Sequence, residues 1–156
     1  WLKTPRNSPE GLERTKSHSY ANNVLARFEL PSLAQTEGLF VTRFGIVAEG
    51  ITSNIFWVKK RVLYTPSLST GILNGITRQQ VIMLAKELEM EVREGEFYVE
   101  DVEAAEELFV TNAVQELVPI SHIGKIKFAG VTGSYYERLH RAYLYVIQQR
   151  IKGEQL

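Results

Sequence analysis

The sequence predicts an α+β domain, on three observations. Short β-type runs sit close together with turn-sized gaps, as antiparallel hairpins do. Single amphipathic helices stand among them, an order unlike that of a doubly wound parallel sheet. At 156 residues, with 44% apolar and 23% charged side chains, the chain has the size and composition of one soluble domain with a sizeable core.

Residues 1–15 read as the tail of a strand followed by a Pro/Gly-punctuated loop. A helix begins near Ser19, with Ala21, Val24, Leu25 and Phe28 at i, i+3, i+4 and i+7, and Pro31 ends or kinks it. Strands follow at 39–43, 46–50, 54–58 and 62–65. The period then changes. Val81, Leu84, Ala85 and Leu88 mark one face of a helix over 76–89. The run MEVREGEFYV supplies one or two strands, and EDVEAAEE a short helix whose early acids suit the helix dipole. Strands at 108–112 and 116–120 precede a last helix from about Ser134 to Ile151, with Tyr136, Leu139, Tyr143 and Ile147 on one side.

Composition narrows the function. The 18 Lys and Arg balance 18 Asp and Glu, a poor footing for nucleic-acid or anionic-membrane binding. There is no cysteine, which excludes disulfides, Cys–zinc sites and thiol nucleophiles and fits a cytoplasmic protein. No apolar run reaches the ~18 residues of a membrane span. The polar opening at Trp1 reads as the C-terminal part of something longer.

The common phosphate, dinucleotide, metalloprotease and serine-hydrolase motifs are absent. His18, His122 and His140 are scattered, and no metal site is expected from them. Acidic residues fill half the positions from Glu94 to Glu107, a cation-binding face or, on the plainer reading, a solvated helix and turn. Lys59, Lys60 and Arg61 read as a charged hairpin turn rather than a phosphate patch.

Two segments carry chemistry. In SLSTGILNGITRQQV, Gly75, Ile76 and Thr77 lead into the helix over 76–89. Glycine allows close backbone approach, and the free N–H groups of a first helical turn suit a phosphate. A capped helix after a loop explains the same residues. In IVAEGITSNIF, Glu49 lies between apolar strands. It either pairs with a cation or a protonated ring nitrogen, or begins an exposed turn with Ser53 and Asn54 as turn formers.

The ordered blocks RTKSHSYANNVLA, IVAEGITSNIF, LYTPSLSTGILNGITR and EELFVTNAVQELVPI together resemble the fold-type IV pyridoxal-phosphate enzymes, from about Lys16 to at least Ile120. That superfamily holds branched-chain aminotransferases, D-amino-acid aminotransferases and 4-amino-4-deoxychorismate lyases. The resemblance implies residues 16–156 as the C-terminal PLP-binding domain, a mixed or antiparallel pseudo-barrel sheet with flanking helices. Residues 1–15 become the interdomain segment, and an N-terminal domain supplies an arginine and much of the substrate pocket from outside this chain. It implies pyridoxal 5'-phosphate as cofactor and a homodimer.

By resemblance, Lys16 matches the lysine that binds the cofactor covalently and shuttles protons. Glu49 matches the carboxylate on the pyridine nitrogen, beside Ser53 and Asn54. Gly75, Ile76 and Thr77 match the phosphate cup, with Leu73 packing against the ring. Asn112 and Ala113 match a loop giving a further phosphate or substrate contact. The Asn-Ala pair and the opening KTPRNSPEG resemble the lyases, which cleave 4-amino-4-deoxychorismate to 4-aminobenzoate and pyruvate on the way to folate. A branched-chain or D-amino-acid aminotransferase is the alternative, and a non-catalytic fragment the third reading. Tyr20 stands four residues after Lys16, where branched-chain aminotransferases place a tyrosine five after, so it is left out of the site.

Overall fold

In the computed structural model the chain is described at residues 1–6, 21–31 and 36–153. Lys16, His18 and Tyr20 lie outside these residues. Four α-helices, nine strands and two short 3-10 turns (Leu68–Thr70 and Gly130–Thr132) are present among them. Helices α1 (Ala21–Arg27), α2 (Ile76–Glu87), α3 (Val99–Glu103) and α4 (Ser134–Lys152) stand with strands β1 (Leu39–Val41), β2 (Val47–Gly50), β3 (Asn54–Lys59), β4 (Val62–Pro66), β5 (Glu91–Gly95), β6 (Glu107–Asn112) and β7 (Glu116–Pro119). Two-residue strands β8 (His122–Ile123) and β9 (Ile126–Lys127) form a ribbon of their own, and sequence periodicity has no purchase on elements that short.

The main sheet has the order β5-β4-β3-β6-β7. The turn between β3 and β4 holds Lys60 and Arg61 at φ 50° and 66°, the left-handed pair that a tight hairpin requires. The hairpins expected over residues 39–65 are present as β1–β2 and β3–β4, and β6–β7 forms a third. β5 runs parallel to β4. The reason is α2: its 12 residues carry the chain back along the sheet, so the next strand enters from the same end as β4.

Period-two alternation divides the core. Phe56, Val58 and Phe109 face α2 and α4, whose Val81, Leu84, Ala85, Leu139 and Tyr143 complete that cluster. Phe56 and Phe109 are direct cross-strand partners with rings stacked 5.3 Å apart. On the other face, Ile55, Trp57, Leu108 and Val110 pack with Leu39, Val47 and Val102. Ile147 of the expected α4 face is only partly buried, and Val146 takes the deeper place.

The expected face of α1 is corrected. Ala21, Val24, Leu25 and Phe28 are all exposed, and the buried residue is Ala26. The helix has only 7 residues, and it is moored by Asn23, whose amide donates to the Ile51 carbonyl at 2.5 Å. Ala26 joins Leu2, Phe40, Ala48, Ile51 and Ile72 in a third cluster.

α4 begins without a side-chain cap of its own. Its first N–H groups are answered from the sheet: Glu107, buried on β6, accepts from the Tyr135 and Tyr136 amides at 3.1 and 2.8 Å. The approach leaves room for nothing but glycine at 133, where a Cβ would stand 2.5 Å from Glu107 Oε2. Glu107→Ala leaves these donors unanswered. It should cost about 1–3 kcal/mol of unfolding free energy with an unchanged denaturant slope, read by urea titration.

Candidate active site

One end of the main sheet gathers the residues that the sequence singled out. β2 ends and β3 begins there, β6 ends there, and β4 leaves toward α2. Glu49, penultimate in β2, is only 6% exposed, so the exposed-turn reading gives way to a buried, paired carboxylate. Arg6 Nη2 stands 2.8 Å from Glu49 Oε1. The Leu73 amide donates to Oε2 at 2.9 Å, and Asn54 Nδ2 reaches the same oxygen at 3.4 Å. Burial pushes the Glu49 carboxyl above its ordinary value of 4.5, and the Arg6 charge and the Leu73 N–H pull against that shift.

Asn54 does a second job. Its Nδ2 donates to the Leu73 carbonyl at 2.8 Å, and its Oδ1 lies where a Cβ on Gly75 would come within 2.4 Å. Gly75 is the N-cap of α2 at φ −63°, so glycine is needed here for space and not for backbone conformation. The amides of Ile76, Thr77 and Arg78 open the helix without intrahelical partners. The Ile76 side chain is exposed, so what it brings is its N–H, while Thr77 is buried and its hydroxyl has no partner among the described residues. The next residue, Arg78, is buried, and its guanidinium donates to the Pro66 carbonyl at 2.9 Å and to Glu94 at 2.6 Å. It ties the helix start to the ends of β4 and β5, which accounts for one of the run of acids.

Ser53 turns away. Its hydroxyl donates to Glu37 Oε2 at 2.9 Å, and the Ile51 and Gly38 amides donate to Glu37 Oε1. Glu37 therefore shapes the turn between β2 and β3 that presents Glu49 and Asn54. Asn112 is occupied too: its Oδ1 accepts from the Val114 and Gln115 amides at 2.9 and 2.7 Å, closing the β6–β7 hairpin, and Ala113 is exposed beside it. Leu73, half-buried, meets Glu49 through its backbone. His122 bonds Ser121 and His140 stacks on Tyr136, both apart from this cluster.

The sequence reading missed Arg6, Glu37 and Thr111. Thr111 is the direct partner of Asn54 across the sheet, buried, and its hydroxyl has no hydrogen-bond partner among the described residues. Arg6 Nε is likewise buried and has no partner among the described residues. The only signal for Arg6 was its place in the stretch before Lys16.

Comparison with known proteins places this geometry. The amino-transferase class IV family matches residues 2–123, and the chain belongs to that family. It is 41% identical over 150 residues to aminodeoxychorismate lyase of Bacillus subtilis, covering 96% of this chain and 51% of that protein. It is 36% identical over 144 residues to a branched-chain-amino-acid aminotransferase of Pseudomonas aeruginosa, 91% of this chain and 47% of that one. Its fold matches the branched-chain aminotransferase of Thermobaculum terrenum, solved in its PLP form, with TM-score 0.89 and 33% identity over 96% of this chain and 50% of that one. The chain thus spans about half the length of the relatives it matches. The fold is the α+β, mixed-sheet architecture that the resemblance implied.

The site fits the family's cofactor. Glu49 Oε1 has one strong donor, Arg6, and keeps a lone pair for a ring N–H. Beyond Asn54 lie the open amides of α2, which suit an anion. No helix among the described residues is long and apolar enough to cross a membrane.

Two outcomes follow. Gly75→Ala should lose about 1–3 kcal/mol to overpacking, and Asn54→Ala should relieve most of that loss in a double-mutant cycle. Because the folded protein holds the Glu49 proton to higher pH than the unfolded chain, stability should fall as pH rises from 4.5 through the folded value. Glu49→Gln, which does not titrate, should lack this contribution, so the parent loses ground to the variant with rising pH in thermal melts.

Proposed function

We propose that this chain is the cofactor-binding C-terminal half of a PLP-dependent aminodeoxychorismate lyase, which converts 4-amino-4-deoxychorismate to 4-aminobenzoate and pyruvate. The observation that carries the reading is the 41% identity to the Bacillus subtilis lyase across nearly the whole chain, above the 36% to the Pseudomonas aminotransferase over a similar span. The Thr111-Asn112-Ala113 sequence at the end of β6 supports it. An N-terminal domain completing the pocket, a homodimer and a place in the cytoplasm and in folate synthesis belong to the same proposal.

Pyridoxal phosphate, when bound, supplies an electron sink for the pair left when a substrate proton departs. Glu49 would accept a hydrogen bond from the ring nitrogen and so favour the protonated ring. Asn54 and the Leu73 amide hold the carboxylate in place. The amides of Ile76 and Thr77, with the Thr77 hydroxyl, bind the phosphate at the start of α2. Lys16 Nζ would anchor the cofactor, and the same amine would accept the proton from the amine-bearing ring carbon of the substrate. Ser53 acts through the turn, and Asn112 and Ala113 by the placement of their loop.

The full-length enzyme should release 4-aminobenzoate and pyruvate without an added keto acid. Amino-acid-dependent keto-acid formation with no aminobenzoate would transfer the reading to the aminotransferases. Borohydride reduction followed by peptide mapping should find the cofactor on Lys16. A label on Lys59, Lys60 or Lys86 instead would overturn its assignment. Alone, this half should bind the cofactor weakly and turn over neither substrate class.

A further inference from the structure

Arg6 has no part in the reading above, yet it makes the shortest polar contact to Glu49, and three neighbours hold it there. Its amide donates to the Val41 carbonyl at 2.8 Å and its guanidinium lies over the Phe40 ring at 5.8 Å. The preceding residues are anchored by Glu29 at the end of α1, which accepts from the Lys3 and Thr4 amides at 2.6 and 2.8 Å. With only 16% of its side chain exposed, Arg6 puts a fixed positive charge into the cluster that surrounds Glu49.

Resting on the functional reading above, we propose that Arg6 is a positioning residue that keeps the Glu49 carboxylate ionised and aimed at the cofactor's ring nitrogen. A buried carboxyl left to itself takes up a proton. A protonated Glu49 would compete with the ring for the proton on which the electron sink depends. The groups that face Glu49 are Arg6 from the N-terminal stretch, neutral Asn54 from β3 and the neutral Leu73 amide from the loop before α2. Among the described residues Arg6 is the one charged group acting on it. Arg6 also engages Oε1 while Asn54 and Leu73 engage Oε2, so both oxygens are pinned and the carboxylate plane is set.

The test uses the full-length protein without cofactor, 13C-labelled at glutamate, with Glu49→Gln identifying the resonance. In Arg6→Met, which keeps length and drops charge, the Glu49 carboxyl should titrate at higher pH than in the parent. Arg6→Lys should restore most of the difference. With pyridoxal phosphate added, Arg6→Met should bind it at least about tenfold more weakly, the loss of one charged hydrogen-bonding group. Its bound-cofactor absorbance should also titrate at a pH displaced from the parent's. An unmoved Glu49 titration in Arg6→Met overturns the proposal, as does equal weakness of the Lys and Met variants. If Arg6→Met does not fold, the double variant with Glu49→Gln decides. Recovery of folding supports the charge pairing, and failure assigns Arg6 to the fold alone and overturns it. A parent that binds no pyridoxal phosphate defeats the functional reading, and the carboxyl titration still reports what Arg6 does to Glu49.

Discussion

A carboxylate taken out of water needs partners within hydrogen-bond reach, and Glu49 takes them from three separate stretches of chain. Arg6 comes from the N-terminal stretch, Asn54 from the next strand and the Leu73 amide from the loop before α2. Each partner is fixed in turn. Glu37 shapes the turn that carries Asn54, and Glu29 fastens the stretch that carries Arg6. A buried ion pair is held together by such geometry and loses its value when one member is removed. The local architecture around β2 is therefore organised by one charge.

The same economy appears at the helix ends. α2 and α4 each begin at a glycine without a side-chain cap. At α4 the sheet supplies the missing acceptor through Glu107. At α2 no carboxylate among the described residues fills that role, and Arg78 holds the first turn in place from behind. Two helices of similar construction thus differ in one respect: the first amides of α4 are answered by a side chain of the sheet, and those of α2 have no such partner among the described residues.

Much of the fold was legible because alternation and helical period report burial directly. Ile55 to Val58, the Val81–Ala85 face and Tyr136–Tyr143 are examples, and their register follows from which residues are apolar. The Glu49 segment was legible for a chemical reason, since a lone carboxylate between apolar strands is costly without a partner, whereas the glycine before α2 is an ordinary N-cap residue that only the surrounding motif singled out. Arg6, Glu37 and Thr111 were not. A guanidinium in a polar opening segment carries no mark of the carboxylate it will meet, and a threonine in a strand shows no sign that its hydroxyl goes unpartnered. The exposed face of α1 misled for the opposite reason: apolar spacing states what a helix can bury, and the packing around Ala26 settles what it does bury.

Asn54 lies between the two halves of the site. One amide group touches the carboxylate at one end, the Leu73 carbonyl in the middle and the N-cap glycine of α2 at the other. The span from Glu49 to the open end of the helix is therefore set by the length of a single short side chain. Anything that bridged both ends would have to match that span. A glutamine at this position would keep every functional group and still read the wrong length.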